Sequence, residues 1–251
     1  MLSWWDYGYQ ITGIGNRTTL ADGNTWNLEH IALLGRILTS PEKRAHELAR
    51  HLADYVLVWA GNHGDDLAKS PHMARIGSSV FPDICPRDPL CRNFGFYENR
   101  KPTPSMEASL LYRLHSAGVV QGITVNDKLF EHAYSSKYGL VRIYKVLNIS
   151  ETSRKWAADP ANRLCDRPGS WYCPGQYPPD LPLAIPKSHR HVDYDNPNAY
   201  VEEMNGARAG GGSASEGLAG ARMPDAPRKK SKGGKAKGKK KAAEADGHAE
   251  L

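Results

Sequence analysis

Apolar residues at helical spacing predict two helices in the first fifty residues of the chain. The first is capped by Asn24 or Asn27, either of which can accept a backbone N–H. Its inward stripe consists of Ile31, Leu34 and Leu38. The second begins at Ser40-Pro41-Glu42, which supplies a capping hydroxyl, a proline at the first helical position and an acid, and it ends near His51. The polar, glycine-rich stretch 11–23 is predicted to be a loop.

Two other stretches follow the patterns of strands. Residues 55–60 form a continuous apolar run rich in β-branched residues, which is typical of a buried strand. Residues 138–149 alternate between apolar and polar positions and predict a second strand. Helices combined with buried strands indicate an α/β fold with a mixed core of helices and a small sheet.

Two further helices are predicted between these strands. One opens at Asp65 or Asp66 and reaches about Ile76, although Pro71 within it would break the hydrogen-bond ladder of a regular helix. The other is capped by Ser105. The inward residues of this last helix are Met106, Leu110, Leu111 and Leu114.

Four cysteines occur in two close pairs, each accompanied by prolines and other turn-forming residues. Cys85 and Cys91 lie in an irregular insertion predicted over residues 77–104, and Cys165 and Cys173 lie further along the chain. Two local disulfides in an oxidising compartment suit this spacing, with three connectivities possible. A zinc site is the alternative, although neither pair has the close spacing usual for zinc ligands.

Changes in composition predict three segments. Residues 1–150 would form the folded core and residues 151–203 a proline-rich appendage, whereas residues 204–251 are too poor in apolar side chains to offset ordering entropy and are expected to be disordered. The net charge of +6 comes from this tail, since nine Lys and Arg lie between Arg228 and Lys241. Without those nine, 24 basic residues face 27 acidic ones, a charge of −3. The tail has no aromatic residues among its bases, so no specific nucleic-acid partner is expected.

The first ten residues hold the densest group of aromatic and polar side chains. Trp4 and Trp5 are adjacent, so their indoles cannot share one face of a helix or strand, and one of them must point away from the core. Asp6 follows directly, and Gly8 lets the backbone turn tightly or approach a ligand. The pattern predicts a binding surface for a small polar group.

The segment from Trp4 to Gly8 reads WWDYG, which is identical to the signature of the catalytic subunit of oligosaccharyltransferase. Members of that family transfer a preassembled glycan from dolichyl diphosphate to Asn in Asn-X-Ser/Thr. The resemblance runs from about Ser3 to Lys145. Outside the signature it is carried by residues 17–20, 24–27, 30–32 and 54–58. It implies acceptor polypeptides and a dolichyl-diphosphate oligosaccharide as partners.

The resemblance also implies a larger protein. In the family, a multi-spanning membrane half precedes the signature and carries a divalent ion, Mn²⁺ or Mg²⁺, with its acidic ligands. This chain begins almost at the signature and has no run of about 18 apolar residues that would span a membrane. We therefore expect the soluble, lumenal C-terminal part of an endoplasmic reticulum membrane protein. No catalytic residue or metal ligand is expected in it, and alone it should be inactive as a glycosyltransferase.

Within this resemblance, the residues Trp4, Trp5, Asp6, Tyr7 and Gly8 are the first acceptor-binding set. Asp6 can accept the proton of the hydroxyl at the +2 position of Asn-X-Ser/Thr, and an indole N–H can only donate to that hydroxyl. A site that saturates a hydroxyl in this way rejects the analogue without it by about 10⁴–10⁵. The resemblance assigns recognition of the +2 Ser or Thr to these side chains.

A second family motif, Asp-x-x-Lys-x-x-x-Met, matches Asp66, Lys69 and Met73. Ile76 continues the same helical face. The apolar pair would contact the γ-methyl of a Thr at +2, a contact worth about 1–3 kcal/mol. Tyr9 lies where the family has an aromatic residue associated with the lipid-linked donor. The alternative interpretation is a structural tyrosine whose ring is half-buried under the loop.

Two tripeptides of the chain are candidate glycosylation sites themselves. They begin at Asn16 and Asn148, and chance occurrence is the preferred interpretation of the second. Two other functions remain open from the sequence. One is a non-catalytic peptide- or carbohydrate-binding module derived from the family. The other is a basic-tailed cytosolic adaptor in which WWDYG is only structural.

Overall fold

A computed structural model of the chain describes residues 1–25, 27–61, 65–86, 88, 90–164 and 177–185. All of these belong to one unit, Met1–Gly212. The cysteine pair Cys165 and Cys173, much of the proline-rich appendage and the whole of 204–251 lie outside the described residues. The predicted second disulfide, the segment boundaries and the disorder of the tail therefore stay predictions.

The described residues contain eight α-helices and three strands. The helices are α1 (Gly8–Gly13), α2 (Leu28–Thr39), α3 (Glu42–Ala49), α4 (Asp66–Val80), α5 (Pro104–Ala108), α6 (Leu110–Ser116), α7 (Glu151–Ala158) and α8 (Leu181–Ala184). The strands are β1 (Tyr55–Trp59), β2 (Phe130–Ser135) and β3 (Val141–Val146). Short 3₁₀ turns occupy Trp5–Tyr7, Pro82–Ile84 and Pro160–Arg163. The predicted fold class, helices with a small sheet, is confirmed. No helix of this described part is long and apolar enough to cross a bilayer.

The sheet is antiparallel, with β3 in the centre between β1 and β2. On the side of β1 away from β3, Leu2 forms a parallel bridge with Val56. The N–H of Leu2 donates to the Tyr55 carbonyl at 2.8 Å, and the N–H of Leu57 donates to the Leu2 carbonyl at 2.8 Å. This bridge positions the WWDYG segment at the edge of the sheet.

Helix α2 is buried along almost its whole length and packs closely against α4. A Cβ added at Gly35 would lie 2.5 Å from the Met73 carbonyl oxygen, and one at Gly77 would lie 3.1 Å from the Arg36 nitrogen. The two backbones thus approach more closely than a larger side chain would allow. Arg36 then reaches beyond the contact and donates to both carboxylate oxygens of Asp83, at 2.6 and 2.7 Å.

The start of the chain differs from the prediction in two places. Helix α1 continues to Gly13, so the predicted loop 11–23 begins too early. Asn27 caps α2 as predicted and accepts from the His30 N–H at 3.2 Å, but Ser40 does not cap α3. The carbonyl of Ser40 instead accepts the N–H of Leu110 at 2.8 Å, which ties this turn to the start of α6.

Helix α4 passes through Pro71 and ends at Val80, beyond the predicted end at Ile76. Proline has no N–H to donate to the carbonyl four residues earlier, which here belongs to Leu67. The Ser70 hydroxyl donates to that carbonyl at 2.7 Å and satisfies it. The helix therefore continues through Pro71 to Val80. The predicted start of the irregular insertion at residue 77 is too early.

The predicted helix after Ser105 is two helices. Thr103, not Ser105, caps α5 by accepting the Met106 N–H at 3.3 Å. Ser109 is extended, bridges to Pro41 and caps α6 by accepting the Tyr112 N–H at 3.2 Å. The predicted inward residues Met106, Leu110, Leu111 and Leu114 are all fully buried. The burial pattern was correct, although the contact with Pro41 divides the helix.

The predicted strands are present as β1 and β3, and β3 is shorter than the predicted range. β1 was expected to be buried throughout, but only Val56 and Val58 are buried and Tyr55 is exposed. The strand β2 was missed because five of its six residues are exposed. The disulfide between Cys85 and Cys91 is confirmed, with Cα atoms 5.3 Å apart. Cys91 is buried beside the Ala74 carbonyl of α4, in a small second core.

Candidate functional site

The WWDYG segment lies against the end of β1 and the first turn of α4. Its 3₁₀ turn, Trp5–Tyr7, follows the Leu2 bridge and leads directly into α1. The Tyr7 ring stacks on Trp59 with centroids 6.0 Å apart and planes tilted by 22°. The two sequence motifs, separated by about sixty residues, thus come together in one site.

Asp66 joins these elements through both of its carboxylate oxygens. Oδ1 accepts the Tyr7 hydroxyl at 2.6 Å, and Oδ2 accepts the backbone N–H of Trp59 at 2.8 Å. The Asp66 side chain is only 1% exposed. Burial raises the pKa of Asp66 to about 6, while the hydrogen bonds from Tyr7 and Trp59 and the nearby Lys69 ammonium act in the opposite direction.

Tyr7 is held as a neutral hydrogen-bonding group. Burial, reinforced by the neighbouring Asp66 carboxylate, raises the pKa of Tyr7 far above its ordinary value. The phenol therefore keeps its proton and donates it to Asp66. Its oxygen accepts from the Lys69 ammonium at 2.7 Å, and that ammonium lies 4.5 Å from the ring centroid of Tyr7.

Lys69 also binds Asp6, with 2.5 Å between Nζ and Oδ2. Both side chains are about one quarter exposed, 27% for Lys69 and 28% for Asp6. The other carboxylate oxygen of Asp6, Oδ1, is buried and has no hydrogen-bond partner among the described residues. A carboxylate oxygen in this state can accept a hydrogen bond from an incoming hydroxyl.

The two tryptophans differ as predicted. Trp4 is 1% exposed and belongs to the main core, whereas Trp5 is half-buried and packs on the edge of that core. Their ring centroids are 6.4 Å apart with planes tilted by 51°. In the described part of the chain, neither indole N–H donates to a protein acceptor.

Gly8 and Tyr9 extend the site towards the following loop. A Cβ on Gly8 would lie 2.5 Å from the Ala21 carbonyl oxygen, so only glycine fits against this loop. Tyr9 is 59% exposed, and its ring lies against Gly23. The ring is thus accessible at the surface, and its association with a lipid-linked donor stays a prediction.

Met73 and Ile76 continue the helical face that carries Asp66 and Lys69. Met73 is fully buried within the same core cluster as Trp4, whereas Ile76 is partly buried at the edge of that cluster. In this arrangement Ile76 keeps some accessible surface, and Met73 supports the site from beneath. Direct contact with an acceptor stays a prediction for both residues.

The sequence reasoning did not assign Trp59, Asp65 or His115 to the site. Asp65 caps α4 by accepting the Ala68 N–H at 3.0 Å, and its Oδ2 lies 3.1 Å from His115 Nε2. Burial opposes ionisation of Asp65, but the hydrogen bonds from His115 and Ala68 together lower its pKa. Trp59 could have been found as the last residue of the strand before the second motif. Nothing in the sequence links His115 to Asp65.

The two candidate glycosylation sites have different surroundings. Asn16 lies exposed in the loop after α1, and Thr18 of its tripeptide is exposed too. The Asn148 amide donates to the Lys128 carbonyl at 3.3 Å, and the Ser150 hydroxyl caps α7. The hydroxyl of the second tripeptide is therefore engaged within the fold.

A divalent ion has no ligand set in the part of the chain that the structure describes. No three His, Cys, Asp or Glu side chains converge among these residues. The carboxylates of the site are already bonded to Tyr7, Trp59, Lys69 and His115.

Comparison with known proteins finds a family match for the part of the chain that carries both motifs. Residues 1–77 match the family model of the STT3/PglB/AglB core domain. This range contains the whole Asp6–Lys69–Tyr7–Asp66 network and ends just after Ile76. The resemblance to the catalytic subunit of oligosaccharyltransferase, inferred from WWDYG, is confirmed.

Individual relatives extend the match beyond that range. The chain is 37% identical over 169 residues to the dolichyl-diphosphooligosaccharide–protein glycosyltransferase subunit stt3 of Schizosaccharomyces pombe, which covers 58% of this chain and 22% of the relative. It is 38% identical over 171 residues to subunit STT3B of Oryza sativa subsp. japonica, and this match covers 58% of the chain and 24% of the relative. The identity to subunit STT3 of Saccharomyces cerevisiae is 34% over 168 residues, and this match covers 57% of the chain and 23% of the relative. The chain thus spans less than a quarter of the length of these relatives.

Proposed function

We propose that this chain is the acceptor-recognition part of an oligosaccharyltransferase catalytic subunit. The enzyme would transfer a glycan from dolichyl diphosphate to Asn of Asn-X-Ser/Thr, and this part would bind the Ser or Thr at +2. One observation carries the proposal: Lys69 engages one oxygen of Asp6 while the other has no partner, beside two indoles whose N–H groups have no protein acceptor in the described structure.

The +2 hydroxyl would donate to Asp6 Oδ1 and accept from an indole N–H of Trp4 or Trp5. Lys69, which also donates to the Tyr7 hydroxyl, fixes the Asp6 side chain from the other side, so the free oxygen is pre-oriented. Because Oδ1 and Trp4 are buried, we expect the half-exposed Trp5 to move when an acceptor binds. A +2 Ala or Val would leave these polar groups unpaired, which costs far more than a lost methyl contact.

The preference between Thr and Ser would depend on Ile76 more than on Met73. Ile76 keeps accessible surface, whereas Met73 is fully buried. One methyl group in an apolar pocket contributes about 1–3 kcal/mol, so this preference is modest compared with the requirement for a hydroxyl.

The remaining parts of the reaction would come from a longer protein. We propose that a multi-spanning membrane half anchors the enzyme in the endoplasmic reticulum and holds Mn²⁺ or Mg²⁺ on its own acidic ligands. The present domain would be lumenal, which agrees with the Cys85–Cys91 disulfide. Tyr9, exposed beside the site, would meet the lipid-linked donor. The isolated chain would bind acceptors without transferring glycan.

Peptide binding to the chain tests this proposal directly. A labelled peptide containing Asn-Ala-Thr and a matched Asn-Ala-Val peptide are titrated by fluorescence anisotropy. We expect binding of the Thr peptide alone, and its loss in Asp6→Ala and in Lys69→Met. Asp127→Ala, which removes an exposed acid outside the site, is the matched control and should bind like the parent chain.

Equal affinity for the Thr and Val peptides would contradict hydroxyl recognition. If neither peptide binds but a free oligosaccharide does, and Asp6→Ala abolishes that binding, the chain is a carbohydrate-binding module derived from the family. Circular dichroism of each variant separates a lost contact from a lost fold.

A further inference from the structure

Two turns expose apolar side chains at one end of the sheet. The first, residues 117–122, follows α6 and exposes Val119 at 70% and Val120 at 41%. The second, residues 136–140, connects β2 to β3 and exposes Tyr138 at 77%. Single exposed apolar residues are common on proteins, but a group of them in neighbouring turns points to a contact surface.

Arg142 holds these two turns next to each other. Its Nη1 donates to the Ala117 carbonyl at 2.9 Å, and its Nη2 lies 4.0 Å from the position of a Cβ on Gly139. Each turn is closed by its own backbone hydrogen bonds. Val119 N–H donates to the Ser116 carbonyl at 3.0 Å, and Gly139 N–H donates to the Ser136 carbonyl at 2.8 Å. The two turns that carry the three exposed apolar residues are therefore neighbours.

The chain segments that flank the two turns contain basic residues and no acidic ones. Residues 108–126 and 132–150 have no Asp or Glu. Lys137 is exposed and its ammonium lies 5.4 Å from the ring centroid of Tyr138. Aromatic rings sit at the headgroup level of a bilayer, and basic side chains are attracted to anionic phospholipid. The composition suits a membrane surface better than it suits the apolar centre of a protein interface.

The surface also lies at the same end of the sheet as the candidate site. Ala60, directly after β1, donates its N–H to the Leu140 carbonyl at 2.7 Å. The preceding residue, Trp59, donates its own N–H to Asp66. Helix α6, which leads into the first turn, carries His115 against Asp65. The first turn thus extends from a helix that contacts the site, and the second is hydrogen-bonded to the residue that follows β1.

We infer that the turns 117–122 and 136–140 together form a bilayer-contacting surface that rests on phospholipid headgroups. The choice of a bilayer rests in part on the proposed function, because a lipid-linked donor must reach the site from the membrane side. The surface would hold the site at a fixed height above the lipid. Val119, Val120 and Tyr138 would enter the headgroup layer, and Lys137 would meet the phosphates.

Hydrogen exchange of the full chain, measured by mass spectrometry, tests this surface. The probe is vesicles of phosphatidylcholine with phosphatidylserine, compared with buffer alone. Local protection is the readout, because the nine basic residues between Arg228 and Lys241 attract anionic vesicles whichever way the domain faces. We expect slower exchange in both turns and unchanged exchange in the turn 97–101, which is not part of the proposed surface.

The double variant Val119→Ser/Tyr138→Ser should lose this protection. Tyr97→Ser, which changes a tyrosine that is 55% exposed, is the matched control and should retain it. Unchanged exchange in the two turns with bound vesicles would overturn the inference. Protection in the control turn to the same extent would overturn it too. The peptide assay is independent of this one. If vesicles protect the two turns but the Thr peptide does not bind, only the proposed function is contradicted. If the Thr peptide binds but vesicles do not protect the turns, only the bilayer-contacting surface is contradicted.

Discussion

Helix α4 is held in two different ways along its length. In its first turn, Asp66 and Lys69 bond to Tyr7, Trp59 and Asp6 over distances of 2.5–2.8 Å. Further along, Met73 is fully buried and the Gly35–Gly77 contact lets the α2 and α4 backbones meet. The first turn is held by hydrogen bonds and an ion pair, whereas the rest of the helix is held by apolar packing.

The largest expected effect on the free energy of unfolding comes from a substitution at Met73, in the packed part of α4. Met73→Ala should lower the free energy of unfolding by about 2–5 kcal/mol, because it removes a fully buried side chain and leaves a cavity. Urea denaturation followed by circular dichroism measures this. Met73→Leu, which nearly conserves volume, should cost less than about 1.5 kcal/mol. A small loss in Met73→Ala would show that the packed part is not the main source of stability.

The second-largest expected effect concerns Asp66 in the first turn of α4, where stability should depend on pH. The pKa of Asp66 is raised from 3.8 to about 6, so the folded chain holds this proton more tightly than the unfolded chain does. Its contribution to folding is fully present below about pH 4 and is lost as the pH rises through about 6. Relative to the parent chain, Asp66→Asn should therefore gain roughly 3 kcal/mol in free energy of unfolding between pH 4 and pH 7.

Taking the difference between variant and parent removes the contribution of other groups. His30 acts in the opposite sense, because burial lowers its pKa to about 3 and its charging destabilises the fold as the pH falls. Asp127→Asn, at an exposed position, serves as the control. A pH-dependent difference for Asp66→Asn that is no larger than that of the control would contradict the raised pKa.

The smallest expected effect probes the glycine contact between the helices. Gly35→Ala places a Cβ 2.5 Å from the Met73 carbonyl and should cost about 1–3 kcal/mol, even after the gain in helix propensity. Gly13→Ala in α1 meets nothing within 4 Å and should be neutral or stabilising by up to about 1 kcal/mol. Equal unfolding midpoints for the two variants would mean that α2 and α4 can separate without cost.

Much of the fold followed from local patterns in the sequence. The cap at Asn27, the apolar run of β1 and the buried stripe through Leu114 were all predictable, because burial at fixed spacing leaves a direct trace in the residues. The errors arose where distant contacts decide local structure. Ser109 breaks a helix because it meets Pro41, and α4 survives Pro71 because Ser70 satisfies the Leu67 carbonyl.

The members of the site that lie in the two motifs were predicted from the sequence, but their arrangement and the contributions of Trp59, Asp65 and His115 were not. WWDYG and the Asp66–Lys69 pair were each recognisable from the sequence. That Lys69 would bond to Asp6, that Trp59 would support Asp66 and that Met73 would be buried depend on how β1 and α4 pack. Residue types indicate chemistry, whereas the free oxygen of Asp6 is visible only in three dimensions.

The hydrogen bond between Tyr7 and Asp66 also bears on when the site comes into existence. It joins residues 59 positions apart, and the bond between Lys69 and Asp6 spans 63. Contacts of such separation require the closure of long loops, which costs conformational entropy. A chain whose α4 has not yet packed against the rest of the fold would contain every residue of the site, but these residues would not be assembled. Acceptor binding would then report that folding is complete, which makes it a direct assay of correctly folded protein.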